Sequence, residues 1–202
     1  MSGWASCTSS CSGGNGTASF SMTQQQASPS LDGSSTLFSY DGGPAFSHIL
    51  WSRYLSGNGS AANFVLDMYY YIDRPANSQA LEFAANQQLS NQWYKFSTQC
   101  DFADGLWRLW DSANQGWVGT SAPCTRPPAN TWQHLTFEYQ RADAQAVFVA
   151  ITVNGQKYSI NQSFNPEANS GSASVTVHFE MDGNGAAQAY NVWVDQMTLS
   201  IW

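Results

Sequence analysis

AVFVAITVNGQKYSI, residues 146–160, decides the fold class. Two alternating runs meet at Asn154 and Gly155, the residue pair that supplies the positive backbone angles of a type I′ turn, so the chain doubles back as an antiparallel hairpin. Working outward, period-2 runs recur at 64–73, 80–87, 93–98, 106–111, 132–141, 147–153, 156–161, 174–181 and 190–201. Strands in succession with no convincing helix describe an all-β, two-sheet antiparallel β-sandwich. The first 45 residues carry turn signals at SGGNG, SPSLDGSS and YDGGP and read as loops with one or two edge strands. A second turn is expected at Asp182 and Gly183, closing the strand SVTVHFEM. There is no repeat and no linker of boundary length, and a sandwich of 202 residues fits one domain spanning 1–202.

Composition points to a partner class. Charged residues make up 10% of the chain and aromatics 14%, with nine Trp, so solubility rests on Ser, Asn, Gln, Thr and Gly. This suits an extracellular protein handling neutral, hydroxyl-rich partners. The net charge is -7 and the seven Lys and Arg are scattered singly, which argues against nucleic acid and anionic membranes. No apolar run approaches the roughly 18 residues of a membrane span. The N-terminus lacks the basic and apolar regions of a signal peptide, so the Met1 start is read as standing in place of a removed leader.

Four cysteines, Cys7, Cys11, Cys100 and Cys124, allow three connectivities, of which the two local pairs are favoured. Zinc is the rival reading, but the spacing is wrong for paired knuckles, and His48, His134 and His178 all lie away from the cysteine pairs. Closing the Cys100–Cys124 loop would stabilise by roughly 3 kcal/mol in the chain-entropy model. Disulfides imply an oxidising compartment, hence a secreted or surface protein.

Parity separates the faces. Along 64–72, Phe64, Leu66, Met68, Tyr70 and Ile72 form the core set and leave Asp67, Tyr69 and Tyr71 opposite. Along 174–182, Val175, Val177, Phe179 and Met181 face inward while Thr176, His178, Glu180 and Asp182 face outward. In QALEFAANQ, residues 79–87, Glu82, Ala84 and Asn86 share one side. If these strands lie in one sheet, Asp67, Tyr69, Tyr71, Glu82, Asn86, His178 and Glu180 line a common groove, joined by Arg108 and Trp110. Flat rings beside carboxylates and amides suit a sugar, which stacks one face on an aromatic while its hydroxyls take hydrogen bonds.

The blocks LEFAANQ, KFSTQC, GLWRLWD, APC, WQHLTFEYQR, ITVNGQ, HFEMDGNG and WVDQMTLSIW, with WASCTSSCSGG and SPSLDGSS, resemble a family of secreted bacterial proteins with the concanavalin A-like lectin and glucanase jelly roll. The resemblance implies that fold and a secreted location more than an activity, since the jelly roll hosts lectins, binding modules, hydrolases and lyases. Laminarinase-like relatives carry a catalytic strand of the form ExDxxE or ExDxE. Here Glu82 takes the first position, Ala84 the Asp position, and Asn86 or Gln87 the last, so two of three carboxylates are missing. A hydrolase would need Glu82 with a cross-strand acid, Glu180 first and Asp67 second, spaced about 5 Å for retention or about 6.5 to 9.5 Å for inversion. In a lyase His178 or a tyrosine would act as base, but the RxExR and YFKxGxYxQ patterns of alginate lyase-like jelly rolls are absent.

Plainer roles stand beside each of these. Glu82 can satisfy itself on a neighbouring amide, and His134, sharing a face with Trp132, Thr136 and Glu138, reads as packed or hydrogen-bonded. Trp107, Trp117, Trp193 and Trp202 are expected in core or rim packing. Asp182 and Asn184 are the candidate pair for a structural calcium, weighed against a plain turn, and no other cofactor is expected. NGT, NGS and NQS at Asn15, Asn58 and Asn161 match the glycosylation pattern without special weight. The expectation is carbohydrate binding on one sheet face by a monomer or a module of a larger secreted protein, with glycoside hydrolysis, then lysis or a structural and adhesive role, as alternatives.

Overall fold

The computed structural model describes residues 3–8, 11, 15–55, 57, 59–89 and 91–202. Residues 12–14 of the SGGNG turn and Asn58 of the NGS triplet lie outside the described residues. The strands are β1 (Ala5–Cys7), β2 (Ser19–Gln26), β3 (Ser35–Gly42), β4 (His48–Leu55), β5 (Asn63–Ile72), β6 (Ser78–Leu89), β7 (Gln92–Tyr94) and β8 (Ser97–Asp101). They continue as β9 (Leu106–Asp111), β10 (Gly116–Pro123), β11 (Trp132–Ala142), β12 (Gln145–Val153), β13 (Gln156–Phe164), β14 (Glu167–Ala168), β15 (Ser174–Gly183) and β16 (Tyr190–Ile201). The helical content among the described residues is one 3-10 turn at Pro75–Asn77. None of it is long and apolar enough to cross a membrane.

Antiparallel pairing sorts the strands into two sheets that form a β-sandwich. One sheet runs β1-β4-β15-β6-β8-β9-β10, with β7 pairing the end of β6 and β14 pairing β7. The other runs β13-β12-β11-β5-β16-β3-β2. The NG hairpin forms as read, Asn154 and Gly155 having φ of 49° and 83° between β12 and β13. Three strands, β4, β10 and the two-residue β14, fall where no strand was expected, and the run 93–98 divides into β7 and β8. The N-terminal 45 residues contribute more than edges, since β3 lies between β2 and β16.

Inward side chains of both sheets meet in an aromatic core. Phe83 of β6 lies 5.5 Å from Phe137 of β11 and 5.5 Å from Phe179 of β15, and Phe38 of β3 lies 4.8 Å from Phe179. Each buried ring contributes roughly 1.5 to 3 kcal/mol by leaving water. The cysteines pair locally, Cys7 with Cys11 and Cys100 with Cys124, the latter with Cα atoms 5.5 Å apart across 24 residues. That bridge ties β8 to the segment after β10.

The expected Asp182–Gly183 turn does not form. Both residues belong to β15, and the chain turns after Asn184. Gly183 is required by a close approach instead: a Cβ there would lie 2.3 Å from the Tyr40 hydroxyl oxygen. That hydroxyl is held 2.7 Å from the Ser47 hydroxyl.

Parity held within strands, but one inference from it did not. β5 pairs with β11 and β16, not with β6 or β15, so Asp67, Tyr69 and Tyr71 sit on the outer face of the second sheet, across the sandwich from Glu82.

Candidate functional site

On the outer face of the first sheet, register aligns polar residues across strands. Leu50 of β4 opposes Glu180 of β15, Glu180 opposes Glu82 of β6, Glu82 opposes Gln99 of β8, and Gln99 opposes Arg108 of β9. Flanking rows place Ser52, His178, Ala84 and Ser97 on one side and His48, Asp182, Ala80 and Asp101 on the other. Over them lies a groove of about 1030 Å³, at the upper end of the range usual for ligand sites. Trp93, Lys95, Trp110 and Trp117 wall one flank and Phe46 stands at the other, 51% exposed.

Of the predicted site residues, Glu82, Asn86, Trp110, His178 and Glu180 line this groove. Glu82 accepts a 2.8 Å hydrogen bond from Gln99 Nε2. Burial, then the fields of Glu180 and Asp182, push its carboxyl well above the usual range, against the bond from Gln99. Asp182 is raised in the same way by burial and by Glu180 and Asp101. Like charges gathered in a low-dielectric floor cannot all ionise at little cost, so protons are retained there.

Asn86 is committed to architecture. Its Oδ1 accepts the Phe96 N–H at 2.8 Å, and its Nδ2 lies 3.5 Å from His178 Nδ1. An amide nitrogen only donates, which puts the proton of a neutral His178 on Nε2. Burial and nearby Lys95 lower the His178 pKa to about 4. The ring is therefore neutral at pH 7.

Arg108 does not join the groove lining. Its guanidinium pairs with Asp101 at 2.9 Å and with Asp104, which neutralises it at the sheet margin. Trp110 meets Trp117 edge to face at 5.3 Å, so Trp117 belongs to the groove wall, whereas Trp107 is core and Trp202 is 63% exposed. On the far sheet, Asp67 takes His134 Nε2 at 3.0 Å and the Thr136 hydroxyl at 2.5 Å. Tyr69 stacks on His134 at 4.3 Å, and Tyr71 packs against Trp132 and Trp193. His134 is hydrogen-bonded, as its plainer reading had it.

Several groove residues escaped sequence reasoning. His48 lies on β4, which was not recognised, Trp93, Lys95 and Ser97 lie in the run 93–98, whose faces were not separated, and Gln99 lies just beyond that run. Gln99 had a usable signal, because alternation from Thr98 and Cys100 inward puts it outward. The Lys95 ammonium sits 4.3 Å from the Trp93 ring centroid and 6.0 Å from that of Trp110, and it pairs with Glu167 at 2.5 Å.

The calcium pair does not fit. Asn184 Nδ2 donates to the Ala76 carbonyl at 2.7 Å and its Oδ1 accepts the Ala186 and Ala187 N–H groups, so the amide shapes a turn and has no free ligand atom beside Asp182.

No protein-family model matches the chain, and no curated protein matches it. Solved structures do. The chain is similar to cellulose induced protein Cip1 at 11% identity and a TM-score of 0.62, covering 98% of this chain and 91% of that one. It is similar to the marine PL-14 alginate lyase from Aplysia kurodai at 11% identity and a TM-score of 0.62, covering 90% and 87%. It is also similar to a carbohydrate-binding module of the β-sandwich superfamily, at 7% identity and a TM-score of 0.53, covering 99% of this chain and 58% of that one. At these identities the likeness establishes the fold, a β-sandwich of jelly-roll type.

Proposed function

We propose that the protein binds a polysaccharide in the groove of the first sheet, outside the cytoplasm. The observation that carries this reading is the arrangement of Glu82, Gln99 and His178 on a floor walled by Trp93, Trp110 and Trp117. Indole faces suit the apolar face of a pyranose, and the floor supplies donors and acceptors for its hydroxyls. The groove holds Glu82, Glu180 and Asp182 against Lys95, whose charge is already matched by Glu167, so a neutral glycan suits it better than a polyuronate. The two disulfides fit an oxidising compartment. The similar structures include a carbohydrate-binding module and an alginate lyase, which supports polysaccharide handling in general.

A second reading has its own observation. Glu82 and Glu180 face each other directly on adjacent antiparallel strands, where opposed Cβ atoms stand about 4.5 to 5.5 Å apart. A carboxyl whose proton is held by burial, facing a second carboxyl across the strands, is the pairing a glycoside hydrolase uses, with Glu82 as the acid. Incubation with cellulose, β-1,3-glucan, xylan, mannan and alginate, scored for retention and for new reducing ends, separates the two. Binding predicts retention lost in Trp110→Ala and kept in Tyr71→Ala, which alters the other sheet. Hydrolysis predicts reducing ends that vanish in Glu82→Gln while retention survives. No retention on any of these glycans and no product would refute both.

A further inference from the structure

At one end of the groove, β4 and β15 bring three metal-ligating side chains together. Asp182 directly opposes His48, and Glu180, two residues back along β15, shares their face. One imidazole nitrogen of His48 and one carboxylate oxygen from each acid lie within 4.8 Å of one another. His48 is 1% exposed, yet its Nε2 has no hydrogen-bond partner among the described residues. A buried imidazole nitrogen without a partner is costly, and two carboxyl groups crowded against it raise each other's cost of ionising, which a bound cation would offset.

We infer that His48, Glu180 and Asp182 bind a divalent transition-metal ion of the zinc type, with an open coordination position facing the groove. Imidazole with two carboxylates is a nitrogen and oxygen donor set that favours zinc over calcium, which takes six to eight oxygens. Tetrahedral bonds of about 2.0 to 2.2 Å put ligand atoms roughly 3.4 Å apart, so side-chain rotations closing up to about 1.4 Å would complete the shell. Three protein ligands leave the fourth position to water or to a ligand hydroxyl. The ion would sit beside Glu82 on the groove floor, and a Glu180 that ligates it no longer serves as the partner of Glu82 in hydrolysis. The site is independent of sugar binding, and its test contains no sugar.

The full chain, stripped with EDTA, is titrated at pH 7.5 with zinc chloride by calorimetry, with calcium chloride run alongside. One zinc per chain is expected, together with a zinc-dependent rise in melting temperature. His48→Gln and Asp182→Asn should each weaken zinc binding by on the order of 100-fold, at or beyond the effect of losing an outer-shell partner. His134→Gln, on the far sheet, should bind zinc as the wild type does. Because the groove variants alter buried groups, the wild-type chain gives a second readout that needs no substitution. Of its three histidines, the imidazole resonances of His48 should shift on zinc addition while those of His134 stay. The inference is overturned by absent or non-stoichiometric zinc binding, by calcium binding without zinc, by loss of the site in His134→Gln, or by unshifted His48 resonances.

Discussion

Replacing Phe83 by alanine tests whether the groove floor rests on the packing described above. Phe83 is 1% exposed and its ring lies 5.5 Å from Phe137, 5.5 Å from Phe179, 6.0 Å from Tyr70 and 6.4 Å from Trp107. Truncating a buried Phe costs about 3 to 5 kcal/mol, the sum of lost transfer energy and an unfilled cavity. Four aromatic neighbours hold the value toward the upper end, since each well-placed pair adds about 0.5 to 1.5 kcal/mol beyond area. Rings from both sheets cannot collapse into the hole without moving strands, so little of this is recovered. A loss of about 4 kcal/mol corresponds to a fall in Tm of roughly 8 to 16 °C for a chain of this size. Urea denaturation with disulfides intact measures it, with Phe46→Ala as the exposed control. A loss under about 1.5 kcal/mol, the scale of volume-conserving swaps, would refute a core closed around Phe83.

Two further outcomes follow from the same geometry. In chelator-treated protein, His178 with a pKa near 4 should make stability fall with acid: from about pH 6.5 down to 4 the unfolded chain takes a proton that the folded chain refuses. The loss approaches about 3 kcal/mol at 1.36 kcal/mol per unit, and the wild-type minus His178→Asn difference in urea stability, pH 7 against pH 4, should show it, whereas a flat difference would count against a buried neutral ring. Gly183→Ala forces a methyl against the Tyr40 ring and should cost at least about 1 to 3 kcal/mol, while a neutral result in thermal melts would return Gly183 to the role of a turn residue.

Alternation made the inner and outer sets of β5, β6 and β15 readable, because burial on one face imposes period 2. It left open which strands are neighbours. Tyr69 and Tyr71 carry the same signature as groove residues, but long-range pairing puts β5 beside β11 and β16, and nothing local encodes that choice. β4 was hidden because Arg53 takes an inward-parity position while Leu50 faces the groove, which blurs HILWSRYL. His48 was lost with it. β10 was hidden by its glycines, its proline and an irregular register between Gly119 and Pro123. The cysteine pairing was legible because short loops close easily. The Asp-Gly pair misled because the missing side chain of Gly183 answers to Tyr40, a neighbour remote in sequence.

The row from Leu50 through Glu180, Glu82 and Gln99 to Arg108 runs along the hydrogen-bonding direction, at right angles to the strands. Its pitch is therefore a property of the backbone: four steps of about 4.7 to 4.9 Å span roughly 19 Å. Point mutations can rewrite the letters on this ruler but cannot move its graduations. A glycan lying along the row would be matched or mismatched by its own repeat length before any side chain chose among sugars. Divergent copies of the sheet would then keep one periodicity of ligand while trading its chemistry.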